Sequence, residues 1–116
     1  MEIVRQPEGL IGVVLATSAD FGDRHDAAQD LGAFDDPRAE AALALIACEE
    51  NGDEDLSDAA GESLAEMWSR KGDVPAATLL RMNAVSRDIA MALLLARVPE
   101  LHATARRVLE QTDGGS

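Results

Sequence analysis

The chain is short of aromatic residues. Phe21, Phe34 and Trp68 are its only three, and it has no tyrosine. Its core must therefore be built from Ala, Leu, Val, Ile and Met, and alanine-rich helices pack closely. Cysteine is nearly absent. The lone Cys48 excludes an intramolecular disulfide and a cysteine-based zinc site, and an unpaired thiol fits a reducing compartment. Basic residues are few, with 10 Lys and Arg against 22 Asp and Glu, a net charge of −12. Such a chain repels phosphate backbones and anionic lipid, so neither nucleic acid nor a membrane surface is expected as a direct partner. The apolar run Leu10–Ala16 is too short to span a bilayer. No basic segment leads into it, so it does not read as a signal peptide either. These absences together point to a cytoplasmic protein. At 116 residues the chain has the length of one domain, enough to bury a core without staples.

Two stretches look like copies of one unit. Residues 25–34 read His-Asp-Ala-Ala-Gln-Asp-Leu-Gly-Ala-Phe, and residues 58–67 read Asp-Ala-Ala-Gly-Glu-Ser-Leu-Ala-Glu-Met. A shift of thirty-three positions sets Ala27 on Ala60, Ala28 on Gly61, Leu31 on Leu64 and Gly32 on Ala65. A small-small-x-x-Leu-small pattern at this period marks a stacked helix-pair solenoid, in which each pair buries its apolar face only against its neighbours.

The punctuation predicts seven helices. The first covers 8–19 behind Pro7 as its first residue, although the run Val13-Val14-Leu15 also allows a buried strand. A turn at Asp20–Asp23 leads to a second helix ending near Phe34. Asp35 or Asp36 caps the third, with Pro37 at its first position, and Asn51-Gly52 marks the turn after it. Asp53 or Asp55 caps the fourth. It carries Leu56, Ala59, Ala60, Leu64, Met67 and Trp68 on one face, with Arg70 and Lys71 in its last turn and Gly72 as its stop. Asp73 opens a short fifth helix through Pro75 to about Met82. The sixth spans Val85–Val98 and is stopped by Pro99. The last runs from Leu101 to Gln111. One domain over residues 1–112 with a flexible tail at 113–116 is the resulting division.

The segment Arg24–Ala39, with Ala27-Ala28-Gln29-Asp30-Leu31-Gly32 followed by Asp36-Pro37-Arg38-Ala39, resembles the HEAT-like repeats of the phycobilisome-lyase type. The likeness covers roughly residues 20–72. The second copy departs from it, since Gly72-Asp73-Val74-Pro75 stands in place of Asp-Pro-Arg. The resemblance implies an all-α fold, a short right-handed α-solenoid of HEAT-like helix pairs with a terminal capping helix. Such repeats serve scaffolds, lyase chaperones, glycosylases and inhibitors alike, so function must come from the residues.

Catalytic and metal chemistry finds little support. The run Asn51–Asp58 fails as a calcium loop, because counting from Asp53 places Asp58 where glycine is needed and Leu64 where glutamate is needed. His25 with Asp26 and Asp30 is at most a fragment of a metal site, since no Glu-x-x-His pair accompanies it. His25 is placed on the outward side of its helix, and His102 has no second ligand nearby. Cys48 sits at a helix C-terminus beside Glu49 and Glu50, which would raise its pKa and keep it unreactive. No nucleophile elbow and no phosphate-binding glycine loop occurs. Glu62 and Glu66 lie four apart on one helix, with Glu66 expected to pair Arg70. Trp68 reads as core or as an interface anchor, with core favoured because Leu64 precedes it by four. No enzyme activity, cofactor or metal is expected.

Charge is the remaining signal. Residues 20–66 hold fifteen acids against Arg24 and Arg38, a balance of −13, whereas residues 68–107 hold seven basic residues against three acids, a balance of +4. Carrying the repeat offset along the chain stacks His25 and Gln29, then Asp58 and Glu62, then Asp88, flanked by Asp26, Asp30 and Glu66. In a solenoid this set lines the concave surface, an acidic groove for a basic protein partner. Small size, high acidity and the lack of catalytic motifs are shared with immunity proteins. By that analogy the expected function is an inhibitor that masks a basic toxin or nuclease domain. The alternatives are a scaffold or regulatory subunit of a larger complex, and a lyase- or chaperone-like repeat protein.

Overall fold

The computed structural model describes residues 6–114, with side chains through Gln111. Those residues form α1 (Glu8–Leu15), α2 (Phe21–Leu31), α3 (Pro37–Ala47), α4 (Glu54–Lys71), α5 (Ala76–Arg81), α6 (Ala84–Arg97) and α7 (Pro99–Gly114), with no strand among them. The apolar run Leu10–Ala16 is helical, which closes the strand alternative.

Side chains set most of the helix starts. The Asp20 carboxylate accepts the Gly22 amide, Asp36 that of Arg38, Asp53 that of Leu56, and the Asn83 side-chain oxygen that of Ser86. Each satisfies one of the orphan donors at a helix start. Gly72 ends α4 at φ 73°, a left-handed conformation that glycine adopts without strain, and its amide returns to the Trp68 carbonyl.

Five boundaries differ clearly from expectation. Helix α1 ends at Leu15 instead of Ala19, because Thr17 and Ser18 form turns and Asp20 restarts the chain as a cap. Pro7 precedes α1 as its cap residue. Asp73 does not cap α5, which begins after Pro75 with no side-chain cap. Pro99 both follows α6 and opens α7, where its missing amide costs nothing. Helix α7 runs on to Gly114, past the start of the tail expected at 113; residues 115 and 116 lie outside the described residues.

Helix α4 is the centre. Ten of its eighteen residues are buried, more than one face of a helix supplies. It packs on α2, α3 and α6; α1 covers α2 and α3; α7 covers α6 and α5. The repeat spacing holds in the packing. Ala27 and Leu31 of α2, Ala60 and Leu64 of α4, and Ala90 and Leu94 of α6 are all fully buried, at offsets of thirty-three and then thirty residues. Trp68 is fully buried, so it belongs to the core. Its indole N–H donates to Glu40, and Lys71 holds the other oxygen of that carboxylate.

Small residues let α4 approach its neighbours. A Cβ at Gly32 would lie 3.0 Å from the Ser63 Cα, and one at Gly61 would lie 2.9 Å from the Ser86 Cα. The hydroxyls replace lost volume with hydrogen bonds. Ser63 donates to the Ala28 and Gln29 carbonyls of α2, and Ser86 donates to the Ala47 carbonyl at the end of α3.

Arginines close two of the helix ends. Buried Arg24 donates from Nε to the Val14 carbonyl of α1 at 3.0 Å. Arg87 of α6 donates from Nε to the Leu79 carbonyl of α5 at 3.2 Å and from its terminal nitrogen to Leu80 and Met82. Arg24, Ser57 and Arg87 stand at one position under the offsets above. In the middle copy Ser57 accepts from Asn83, whose side chain also donates to the Glu49 carbonyl while its amide donates to Ala47. Helices α3, α4 and α6 meet at that knot.

Gly61→Ala should destabilise the fold by about 1–3 kcal/mol, because the new methyl meets Ser86 backbone that must shift. Gly12→Ala, at an exposed position of α1, meets nothing within 4 Å and should stabilise by about 0.5–1 kcal/mol. Urea unfolding of the two variants against the parent checks both signs.

Candidate functional site

The faces of α2 and α4 beside their contact carry the acids. On α2, Asp26, Gln29 and Asp30 are exposed. His25 is not simply outward as expected; its side chain is 36% exposed, with Nδ1 4.0 Å from Asp26, because α4 packs alongside. On α4, Asp58, Glu62 and Glu66 lie at four-residue intervals and are each half-buried. They share one face by helical periodicity.

Glu62 shows the electrostatics of this face. Its pKa is raised, first by partial burial and then by the carboxylates of Asp58 and Glu66, while His25 and Arg97 act in the other direction. Helix packing thus gathers His25, Asp58, Glu62 and Glu66, and adds Arg97 of α6. Arg97 lies 3.7 Å from Glu66 and takes the place expected of Arg70. Arg70 instead reaches Asp35 and the Gly32 carbonyl, so a cross-helix bond to a buried backbone oxygen wins over an exposed pairing along α4. Asp88 is exposed on α6 and is not among the groups that perturb Glu62. Gln29 and Asp30 flank the group on α2; the Gln29 backbone oxygen takes the Ser63 hydroxyl.

Asp26 belongs to a second arrangement. A cleft of about 470 Å³ opens between the first turns of α2 and α4, lined by Phe21, Gly22, His25, Asp26, Asp53, Asp55 and Leu56. Phe21 is 61% exposed there, an unusual position for one of three aromatic side chains. Its place one residue after the Asp20 cap carried no periodic signal in the sequence.

Other candidates do not develop into reactive groups. Burial pushes the Cys48 thiol up, against the opposing influence of Arg81 and Arg87. The direction is the expected one, but burial is its leading cause and Glu49 and Glu50 take no part. No group of three or more His, Cys, Asp or Glu side chains converges as a metal ion would require among the described residues. No helix among them is long and apolar enough to cross a membrane.

The raised pKa of Glu62 fixes the sign of a pH effect. The folded chain holds that proton more tightly than the unfolded chain, so this group's contribution to stability grows as pH falls through its folded pKa and shrinks as pH rises. Glu62→Gln removes the titration. It should leave the variant slightly more stable at neutral pH, on the order of 0.5 kcal/mol. It should also flatten the stability profile above the ordinary glutamate pKa of 4.5. Thermal unfolding across that pH range makes the comparison.

Comparison of the chain with protein-family models, curated proteins and solved structures gave no match.

Proposed function

We propose that the chain is a protein-binding module whose acidic face takes a basic partner, and that it acts as an inhibitor of the immunity type, masking a basic toxin or nuclease domain. One observation carries the reading. Asp30, Asp58 and Glu62 form no ion pair among the described residues, although Asp35, Asp36, Glu40 and Glu66 of the same acidic segment do. Asp58 and Glu62 are half-buried neighbours on α4, and the Glu62 pKa is raised first by burial and then by repulsion from Asp58 and Glu66. A cationic partner relieves that repulsion on binding and gains the interaction the chain itself lacks.

The face is best understood as the inner layer of a short right-handed HEAT-like solenoid. In this reading α1/α2, α3/α4 and α5/α6 are successive pairs, α7 is the terminal cap, and α2, α4 and α6 line the concave side. The recurring buried Ala and Leu positions support it, as do the matching bonds from Arg24 and Arg87 to the preceding helix. An elongated outline, 54 × 28 × 20 Å, is in keeping with stacked pairs. Helix α5 fits less regularly, since it packs chiefly on α7.

Charge reversal separates binding from folding. In parallel affinity captures from the native host, the parent chain should retain a basic protein that about 1 M salt releases, where the Debye length falls to about 3 Å. Asp58→Lys with Glu62→Lys should slow association with that protein roughly tenfold or more and leave the unfolding midpoint nearly unchanged. Asp36→Ala removes a helix cap away from this face and should cost about 1 kcal/mol of stability while sparing association. A partner without excess basic charge, or association indifferent to the double reversal, rules the reading out.

A further inference from the structure

The cleft between α2 and α4 adds a specific contact to the acidic face. We infer that it is the seat for an arginine side chain of the partner, stacked on the Phe21 ring and held by Asp26 and Asp55. The inference rests on the proposal that the acidic face takes a basic protein.

Three observations converge on that occupant. Phe21 is 61% exposed at the mouth of a cleft of about 470 Å³, which lies within the usual size of a small-ligand site. An aromatic face left open costs hydration unless something covers it, and an exposed ring attracts a cation through its quadrupole. The polar part of the lining is acidic. Asp55 is exposed and makes no ion pair among the described residues, and Asp26 touches only His25, at 4.0 Å.

The helix ends do not reverse this sign. The first turns of α2 and α4 contribute about half a positive charge each, a total near +1. Against that stand Asp20, Asp23 and Asp26 on one side and Asp53, Glu54 and Asp55 on the other. No lysine or arginine offsets them in the cleft: Arg24, the nearest in sequence, is buried and turned to the Val14 carbonyl, and His25 against Asp26 adds a positive charge only when protonated. The site therefore selects a cation.

Arginine suits it better than lysine. A guanidinium is planar, stacks on a ring, and keeps its edge free to fork toward carboxylates, whereas an ammonium is a compact and strongly hydrated charge. Leu56 at the floor of the cleft supplies apolar contact for the methylene stem.

The test uses the full chain and two peptides as probes. One is an acetylated and amidated peptide of alternating glycine and arginine; the other carries citrulline in place of each arginine. Two-dimensional NMR follows the Phe21 ring and the Gly22 amide. The arginine peptide should give saturable shifts at both, and the citrulline peptide should give none. Phe21→Ala and Phe21→Leu should each weaken the arginine peptide roughly two- to fivefold, the range of an exposed cation–ring contact. Their helical circular dichroism should match the parent, because the ring is exposed. Equal shifts with citrulline, full affinity in Phe21→Leu, or full affinity in Phe21→Ala overturns the arginine seat. If Asp58→Lys with Glu62→Lys weakens the peptide and Phe21→Ala does not, the seat is refuted while the acidic face stands. If Phe21→Ala weakens it and the double reversal does not, the seat stands and the broader face is refuted.

Discussion

The close approach of α4 to α2 on one side and α6 on the other is the constraint on which the remaining structure depends. A chain with so few aromatic residues cannot fill wide gaps between helices, so the helices must come together until backbones nearly touch. Gly32 facing Ser63 and Gly61 facing Ser86 permit that distance. The serine hydroxyls turn the contact into hydrogen bonds to carbonyls of α2 and α3. Large apolar side chains are then needed only at intervals, and Leu31, Leu64, Leu94 and Trp68 supply them. Close packing of this kind tolerates little change in volume.

The same closeness shapes the surface. Helices set near one another bring their flanking side chains together as well, and on α2 and α4 those side chains are mostly acids. Arg38, Arg70, Lys71 and Arg97 each pair with an acid at the edges of this region. The unmatched acids are left along the α2–α4 face and around the cleft at their first turns. The fold bears the repulsion because the pairs at the edges and the buried apolar seam hold α4 in place. On the function proposed above, that repulsion becomes a source of affinity when a complementary charge arrives.

Much of the helical order was legible because its signals are local. Asp20, Asp36 and Asp53 act as caps, Gly72 as a stop and Asn51-Gly52 as a turn through chemistry that involves only a few adjacent residues. The repeat at residues 25–34 and 58–67 was legible for the same reason, and its small and leucine positions are the ones buried. What escaped the sequence depends on contacts between helices. The roles of Arg24, Ser86 and Arg87 require knowing which carbonyls end nearby, although the alignment of Arg24 with Arg87 was a signal that the repeat spacing carried. Glu66 pairs with Arg97 because a neighbouring helix competes with its own. Among the site residues, His25, Asp58, Glu62 and Glu66 do share one surrounding, whereas Asp88 stands apart on α6 and Phe21 had nothing periodic to single it out.

The four buried polar side chains among the described residues are Arg24, Ser57, Ser63 and Ser86. Serine hydroxyls do not titrate in water, and arginine stays charged at every pH a cell reaches. The interior is therefore blind to acidity. Protonation acts on the carboxylates outside it, where it lowers the negative charge and reaches the outer bonds between helices, such as those of Glu40 to Trp68 and Lys71 and of Glu66 to Arg97. Acidity therefore reaches the rim of the helix assembly, while the serine and arginine bonds at its centre keep their protons.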